Sequence, residues 1–171
     1  LSKQIRTMFP QVYEMYQRNC TKTANRQDLL GKVLFCPIRY NGCEWLVANL
    51  FAQDGFGRDK CYTDYDALRK ALTTVRTVAT PLPARTLTAV RIPYKMGSGL
   101  AGGSWSIVEQ IIKDELVAYD IPVEIWKKES VQGRISSFLG YVFGLESRIM
   151  HINILSVAKE TAFLKVYLSY I

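Results

Sequence analysis

The stretch Ile92-Pro93-Tyr94-Lys95-Met96-Gly97-Ser98-Gly99-Leu100-Ala101-Gly102-Gly103-Ser104-Trp105 decides how the rest of the chain is read. Before it, Arg85 to Ile92 predicts a buried strand. After it, Ile107, Val108, Ile111, Ile112 and Leu116 recur at helical spacing, with Ser104 as the opening residue. Four glycines between positions 97 and 103 let the main chain take positive φ and come close to a ligand. Amides at the start of the following helix point outward, so phosphate is the natural occupant. The helix dipole favours an anion there by about 0.3–1 kcal/mol at an exposed site. The stretch lacks the Gly-Lys-Ser/Thr ending of a P-loop, and no Rossmann pattern occurs in a first βαβ unit.

Working outward toward the N-terminus, Tyr65, Leu68, Leu72 and Val75 predict a helix capped by Thr63 or Asp64 and ended by Pro81 and Pro83. Two strands, Lys32 to Ile38 and Glu44 to Phe51, flank Tyr40-Asn41-Gly42, a hairpin signal because Asn and Gly both accept positive φ. The Gly- and Asp-rich loop from Gln53 to Lys60 is expected at the surface. Ile5, Met8, Phe9, Val12, Tyr13 and Tyr16 lie on one helical face, with Ser2 as a cap and Pro10 either dividing the helix or starting its second part. Toward the C-terminus, Ile121 to Trp126 is expected as the last strand. The fold class is α/β, a three-layer α/β/α arrangement on a mixed central sheet. Residues 1–128 are expected as the ligand-binding domain and 129–171 as a C-terminal appendage without assigned structure.

A length of 171 residues supports one substantial core and argues against a two-domain enzyme. With 49% hydrophobic and 22% charged residues the chain falls outside the disordered range. The net charge of +7 favours anionic partners. Its basic residues come in ones and twos, so a nucleic-acid arm is not favoured. Cys20, Cys36, Cys43 and Cys61 form no Cys-x-x-Cys pair and stand far from the lone His151, so no metal site is expected. Neither a signal peptide nor a membrane-length apolar run is apparent, which predicts a cytoplasmic protein with reduced thiols. Cys36 and Cys61 are expected as buried fillers.

The stretch from Gly97 to Trp105, preceded by Ile92-Pro93, resembles the ribose and diphosphate loop of macro domains of the ADP-ribose-1''-phosphate phosphatase type. Leu1-Ser2-Lys3-Gln4-Ile5-Arg6 with Phe9-Pro10 and Tyr13 resembles the helix after that family's first ligand loop. Val47-Ala48-Asn49-Leu50-Phe51-Ala52-Gln53 looks like its central strand, and Tyr62-Thr63-Asp64-Tyr65-Asp66-Ala67-Leu68 like the start of the next helix. The resemblance covers about residues 1 to 128 and implies a partner that is ADP-ribose or an ADP-ribosylated substrate, with no cofactor. It implies dephosphorylation of the 1''-phosphate or ADP-ribosyl hydrolysis. The alternatives are a non-catalytic ADP-ribose reader, a basic nucleic-acid-binding domain, and a rearranged relative whose last residues replace missing strands. In that family the first helix follows a strand pair carrying an adenine-binding Asp and an Asn-containing glycine loop; this sequence starts after both. Relatives that release ADP-ribose from acidic side chains have an Asp where this chain has Ala101.

Candidate ligand-binding residues are Gly97, Ser98, Gly99, Leu100, Ala101, Gly102 and Gly103 through their N–H groups, with the Ser98 hydroxyl as a further donor. Trp105 either walls the distal ribose or packs into the core. Asn49 and Gln53 either line the cleft or satisfy loop amides. Asp64 reads as a helix cap rather than a general base. No catalytic residue can be named from spacing.

Overall fold

The alternation of strand and helix signals is realised in a computed structural model that describes residues 6–57, 59–80, 89–127, 139–142 and 163–169, the last two as backbone. Helices are α1 (Pro10–Lys22), α2 (Tyr65–Ala79) and α3 (Trp105–Glu115). Strands are β1 (Val33–Tyr40), β2 (Cys43–Phe51), β3 (Val90–Pro93), β4 (Val123–Lys127), β5 (Leu139–Val142) and β6 (Phe163–Ser169). Ser2, Pro81, Pro83, residues 85–88 and His151 lie outside the described residues.

Local chemistry sets the element ends. Pro10 occupies the first turn of α1, where its missing N–H costs no bond, and Phe9 before it is non-helical and buried. Asn41 and Gly42 take φ of 50° and 76°, which reverses the chain between β1 and β2 as the hairpin signal requires. Asp64 caps α2, its carboxylate accepting from the Ala67 amide at 2.9 Å.

The sheet order is β1-β2-β6-β3-β4-β5. The β1–β2 and β4–β5 pairs are antiparallel, and β2–β6, β6–β3 and β3–β4 are parallel, so the sheet is mixed. Because strand side chains alternate faces, β2 splits its residues between two cores. Ala48 and Leu50, with Ala52 just past the strand, join Leu68, Leu72 and Val75 of α2 and Val108, Ile111 and Ile112 of α3. Val47, with Cys36 and Ile38 of β1, meets Phe9 and Val12 on the opposite face. That gives the three layers, α1 on one side of the sheet and α2 with α3 on the other. Each fully buried Leu or Ile in the larger core stabilises the fold by roughly 1.5–3 kcal/mol.

Two expectations are corrected. The strand at Val123–Lys127 is not the last one, because β5 and β6 follow it. The sheet also crosses residue 128: the stretch read as an appendage supplies β6, which lies inside the sheet between β2 and β3. Phe163 to Ser169 pair with Trp45 to Phe51, and this partnership between distant parts of the chain leaves no periodic signal that local reading detects.

Candidate functional site at the glycine loop

Parallel strands β2, β6 and β3 run in the same direction, and the residues after β2 and β3 meet at their carboxyl ends, where open α/β sheets bind ligands. After β3 the chain turns through Tyr94 and Lys95, the latter at φ 59°, a left-handed conformation that costs a non-glycine residue about 1–2 kcal/mol. The Met96 amide donates to Pro93 O at 3.1 Å and the Ser98 amide to Lys95 O at 3.0 Å, which holds that turn.

Gly97 to Gly103 then form a loop locked from outside by Gly57, Tyr62, Thr63 and Tyr65. The Thr63 hydroxyl donates to Gly97 O at 2.7 Å, and Ala101 O accepts from the amides of Tyr62 (2.7 Å) and Thr63 (3.2 Å). The Gly57 amide reaches Leu100 O at 2.8 Å, and the Ser104 amide donates to the Tyr65 hydroxyl at 2.8 Å. Glycine is a steric necessity at Gly103, where a Cβ would stand 2.7 Å from Gly97 O and 2.8 Å from Thr63 Oγ1. At Gly102, φ is +70° and a Cβ would stand 2.9 Å from Lys60 O.

Within this frame the amides of Ser98, Gly102, Gly103 and Ser104 are all satisfied. Those of Gly97, Gly99, Leu100 and Ala101 donate to no acceptor among the described residues, the last three in a consecutive run. Consecutive unbonded main-chain donors at a strand-to-helix turn are a group to which an anion could bind. α3 starts beside it without a side-chain cap: the Ser104 hydroxyl meets that of Ser106 at 2.8 Å instead of an amide.

The remaining candidates separate into neighbours and bystanders. Ser98 Oγ lies 3.5 Å from Met96 O. Trp105 is half-buried at the start of α3 and meets Tyr94 edge to face at 5.2 Å, closing the base of the loop. Buried Gln53 donates to Gly55 O at 3.0 Å and bridges to Thr63, which stiffens the clamp. Asn49 is remote: it lies within β2 and its amide reaches Leu34 O (3.5 Å) and Cys36 Sγ (3.6 Å) on β1. Burial pushes the Cys36 thiol above its ordinary value, with the Asn49 hydrogen bond opposing. Cys61, expected buried, is exposed beside the loop, because the Gly-rich segment before it projects from the surface. Reasoning from sequence missed Tyr65 as a loop partner and gave Thr63 only a capping role; neither bond leaves a local signal. The Tyr62 phenol donates to Asp59, and that bond holds its proton above the ordinary tyrosine range.

No family model matches the chain, and no curated protein does. Solved structures do match. A protein of unknown function from Bacteroides thetaiotaomicron is 33% identical over 57% of this chain and 59% of its own, with a TM-score of 0.47. A second protein from that organism, known from an X-ray crystal structure, is 31% identical over 57% and 60%, with a TM-score of 0.46. Another is a macrodomain protein. It comes from Streptomyces coelicolor and is 32% identical over 59% of this chain and 58% of its own, with a TM-score of 0.44. The chain thus spans less than two thirds of the length of each of these structures.

Proposed function

We propose that the chain binds ADP-ribose or a derivative, with the diphosphate on the amides of Gly99, Leu100 and Ala101, and that it hydrolyses at the distal ribose. The observation that carries this reading is the run of three consecutive amides, Gly99 to Ala101, with no acceptor among the described residues, in a loop where those of Ser98, Gly102, Gly103 and Ser104 are satisfied. The resemblance of Gly97 to Trp105 to the diphosphate loop of the ADP-ribose-1''-phosphate phosphatase type supports it. Loop amides would stabilise charge developing on the reacting group, with water as the nucleophile. The reaction is then dephosphorylation of the 1''-phosphate or release of ADP-ribose from a substrate.

A second reading, a non-catalytic reader, draws on two observations. Ala101 stands at the turn where hydrolysing relatives carry an acid, and Asp64 is committed to capping α2. Calorimetry and amide NMR with ADP-ribose test the common part: millimolar ligand should shift Gly99, Leu100 and Ala101. Unmoved signals there would sink the assignment. A turnover assay on ADP-ribose-1''-phosphate and on an ADP-ribosylated protein separates enzyme from reader, since a reader binds and releases no product.

A further inference from the structure

The carbonyls of the glycine loop are held by neighbours that differ in what they control. Gly57 donates its amide to Leu100 O at 2.8 Å, while Tyr62 and Thr63 donate theirs to Ala101 O at 2.7 and 3.2 Å. A trans peptide is planar, with its C=O and N–H on opposite sides. The bond that draws Leu100 O toward Gly57 therefore turns the N–H of Ala101, in the same peptide unit, the other way. The bonds to Ala101 O orient the Gly102 amide instead, which already donates to Gly99 O at 3.1 Å. Gly57 is thus the clamp that aims an amide of the unbonded run. The Tyr62 side chain packs under it. Gly55 and Gly57 leave room for the ring, since a Cβ at Gly55 would stand 2.8 Å from it and one at Gly57 3.0 Å. The Tyr62 hydroxyl reaches both carboxylate oxygens of Asp59 at 2.9 Å, and a Cβ at Gly57 would stand 2.5 Å from Asp59 Oδ1. At the other end of the segment, buried Gln53 fixes Gly55 through its carbonyl at 3.0 Å.

We propose that Tyr62, tied to Asp59, is a positioning residue of the glycine-loop site: it holds the Gly57 amide on Leu100 O and so keeps the Ala101 amide turned toward a bound anion. This role rests on the reading above, in which an anionic group sits on the amides of Gly99 to Ala101. Tyr62 acts through the main chain and touches no ligand. Asp59 separates this role from simple charge. A carboxylate near an anion site repels the ligand, so by Coulomb interaction alone its removal strengthens binding. If Asp59 instead keeps Tyr62 under Gly57, its removal weakens binding. The Lys60 ammonium, 4.8 Å from the Tyr62 ring, is a second route by which that ring could affect an anion. Tyr62→Phe keeps the ring and loses only the bond to Asp59, so a loss in that variant belongs to the bond.

The test is calorimetry with ADP-ribose and, separately, with inorganic pyrophosphate, joined to amide hydrogen exchange by NMR without ligand. Tyr62→Ala should weaken binding by about tenfold, the loss of one hydrogen bond to a charged group. Tyr62→Phe and Asp59→Ala should each weaken it by about threefold. In the unliganded parent the Gly57 amide should exchange slowly, and in Tyr62→Ala it should lose that protection while the Ala101 signal shifts. Val12→Ala, in the core on the opposite face of the sheet, lowers stability without reaching the loop and should keep affinity within about twofold. The proposal is overturned if Tyr62→Ala binds as the parent does, if Asp59→Ala binds more tightly than the parent, or if Gly57 stays protected in Tyr62→Ala. Equal weakening in Val12→Ala overturns it as well, because general loosening would then account for the loss. Thermal melts report whether each variant folds; should Tyr62→Ala fail to, Tyr62→Phe and Asp59→Ala decide. A parent that binds pyrophosphate and not ADP-ribose removes the ADP-ribose reading alone, and the variants are then judged on pyrophosphate. A parent that binds neither overturns both.

Discussion

Gly103 and Gly99 share one loop and the same missing side chain, yet their surroundings demand opposite outcomes. A Cβ at Gly103 would meet Gly97 O and Thr63 Oγ1 below 3 Å, whereas one at Gly99 meets nothing within 4 Å. Gly103→Ala should therefore cost about 1–3 kcal/mol and displace the Thr63–Gly97 bond. Gly99→Ala should stay within about 0.5 kcal/mol of the parent in denaturant titration. Equal losses at the two sites would contradict the described loop. Tyr16 offers a pH test. Its ring stacks on Phe51 at 5.8 Å, and burial, with the Cys20 thiol second, raises its pKa above the ordinary 10.0. The folded state holds this proton more tightly than the unfolded chain, so its stabilisation is complete below pH 10 and is lost as pH rises toward the elevated value. Tyr16→Phe should move the alkaline unfolding midpoint upward; an unchanged midpoint would show that ionisation of this phenol does not drive unfolding.

Helices α2 and α3 are joined by more than their apolar faces. Glu115, at the end of α3, accepts from Arg69 at 3.0 Å, from Arg76 at 3.0 Å and from the Thr73 hydroxyl at 2.9 Å, all on α2. With the Glu115 side chain 12% exposed and that of Arg76 20%, this cluster is sheltered from solvent, unlike the Arg18–Glu14 pair on α1. Bonds to a charged group of this kind contribute about 1.5–3 kcal/mol, against 0–1 for an open surface pair. Glu115→Ala should lower stability by roughly 1.5–3 kcal/mol, while Glu14→Ala should cost under about 0.5. Because α3 begins at the glycine loop, loosening the α2–α3 contact should also weaken ligand binding there. Parallel melting and calorimetry on the two variants check both effects.

At the scale of the molecule, β6 connects two halves of one sheet. β2 and β3 are not neighbours; each pairs with β6, so the β1–β2 hairpin and the β3–β4–β5 group share no strand ladder without it. A proline in a central strand removes a ladder donor where no solvent replaces it. Val166→Pro should cost at least ~1–3 kcal/mol and separate the unfolding of the two halves. A single cooperative transition at the parent midpoint would show that the helices alone hold the halves together.

Local chemistry written in the sequence determined much of this protein. The Asn41-Gly42 reversal, the Asp64 cap, the start of α1 at Pro10 and the strand-to-helix glycine turn depend on intrinsic φ preferences and on neighbours a few residues away. Periodicity likewise sorted the faces of α2 and α3, because burying one apolar stripe is a property of each helix. Tertiary structure alone decided the rest: β6 between β2 and β3, Asn49 turned to β1, and Thr63 and Tyr65 on the loop. Each of these joins residues far apart in the chain, where the free energy comes from pairing and exclusion of solvent and no local spacing records the partner.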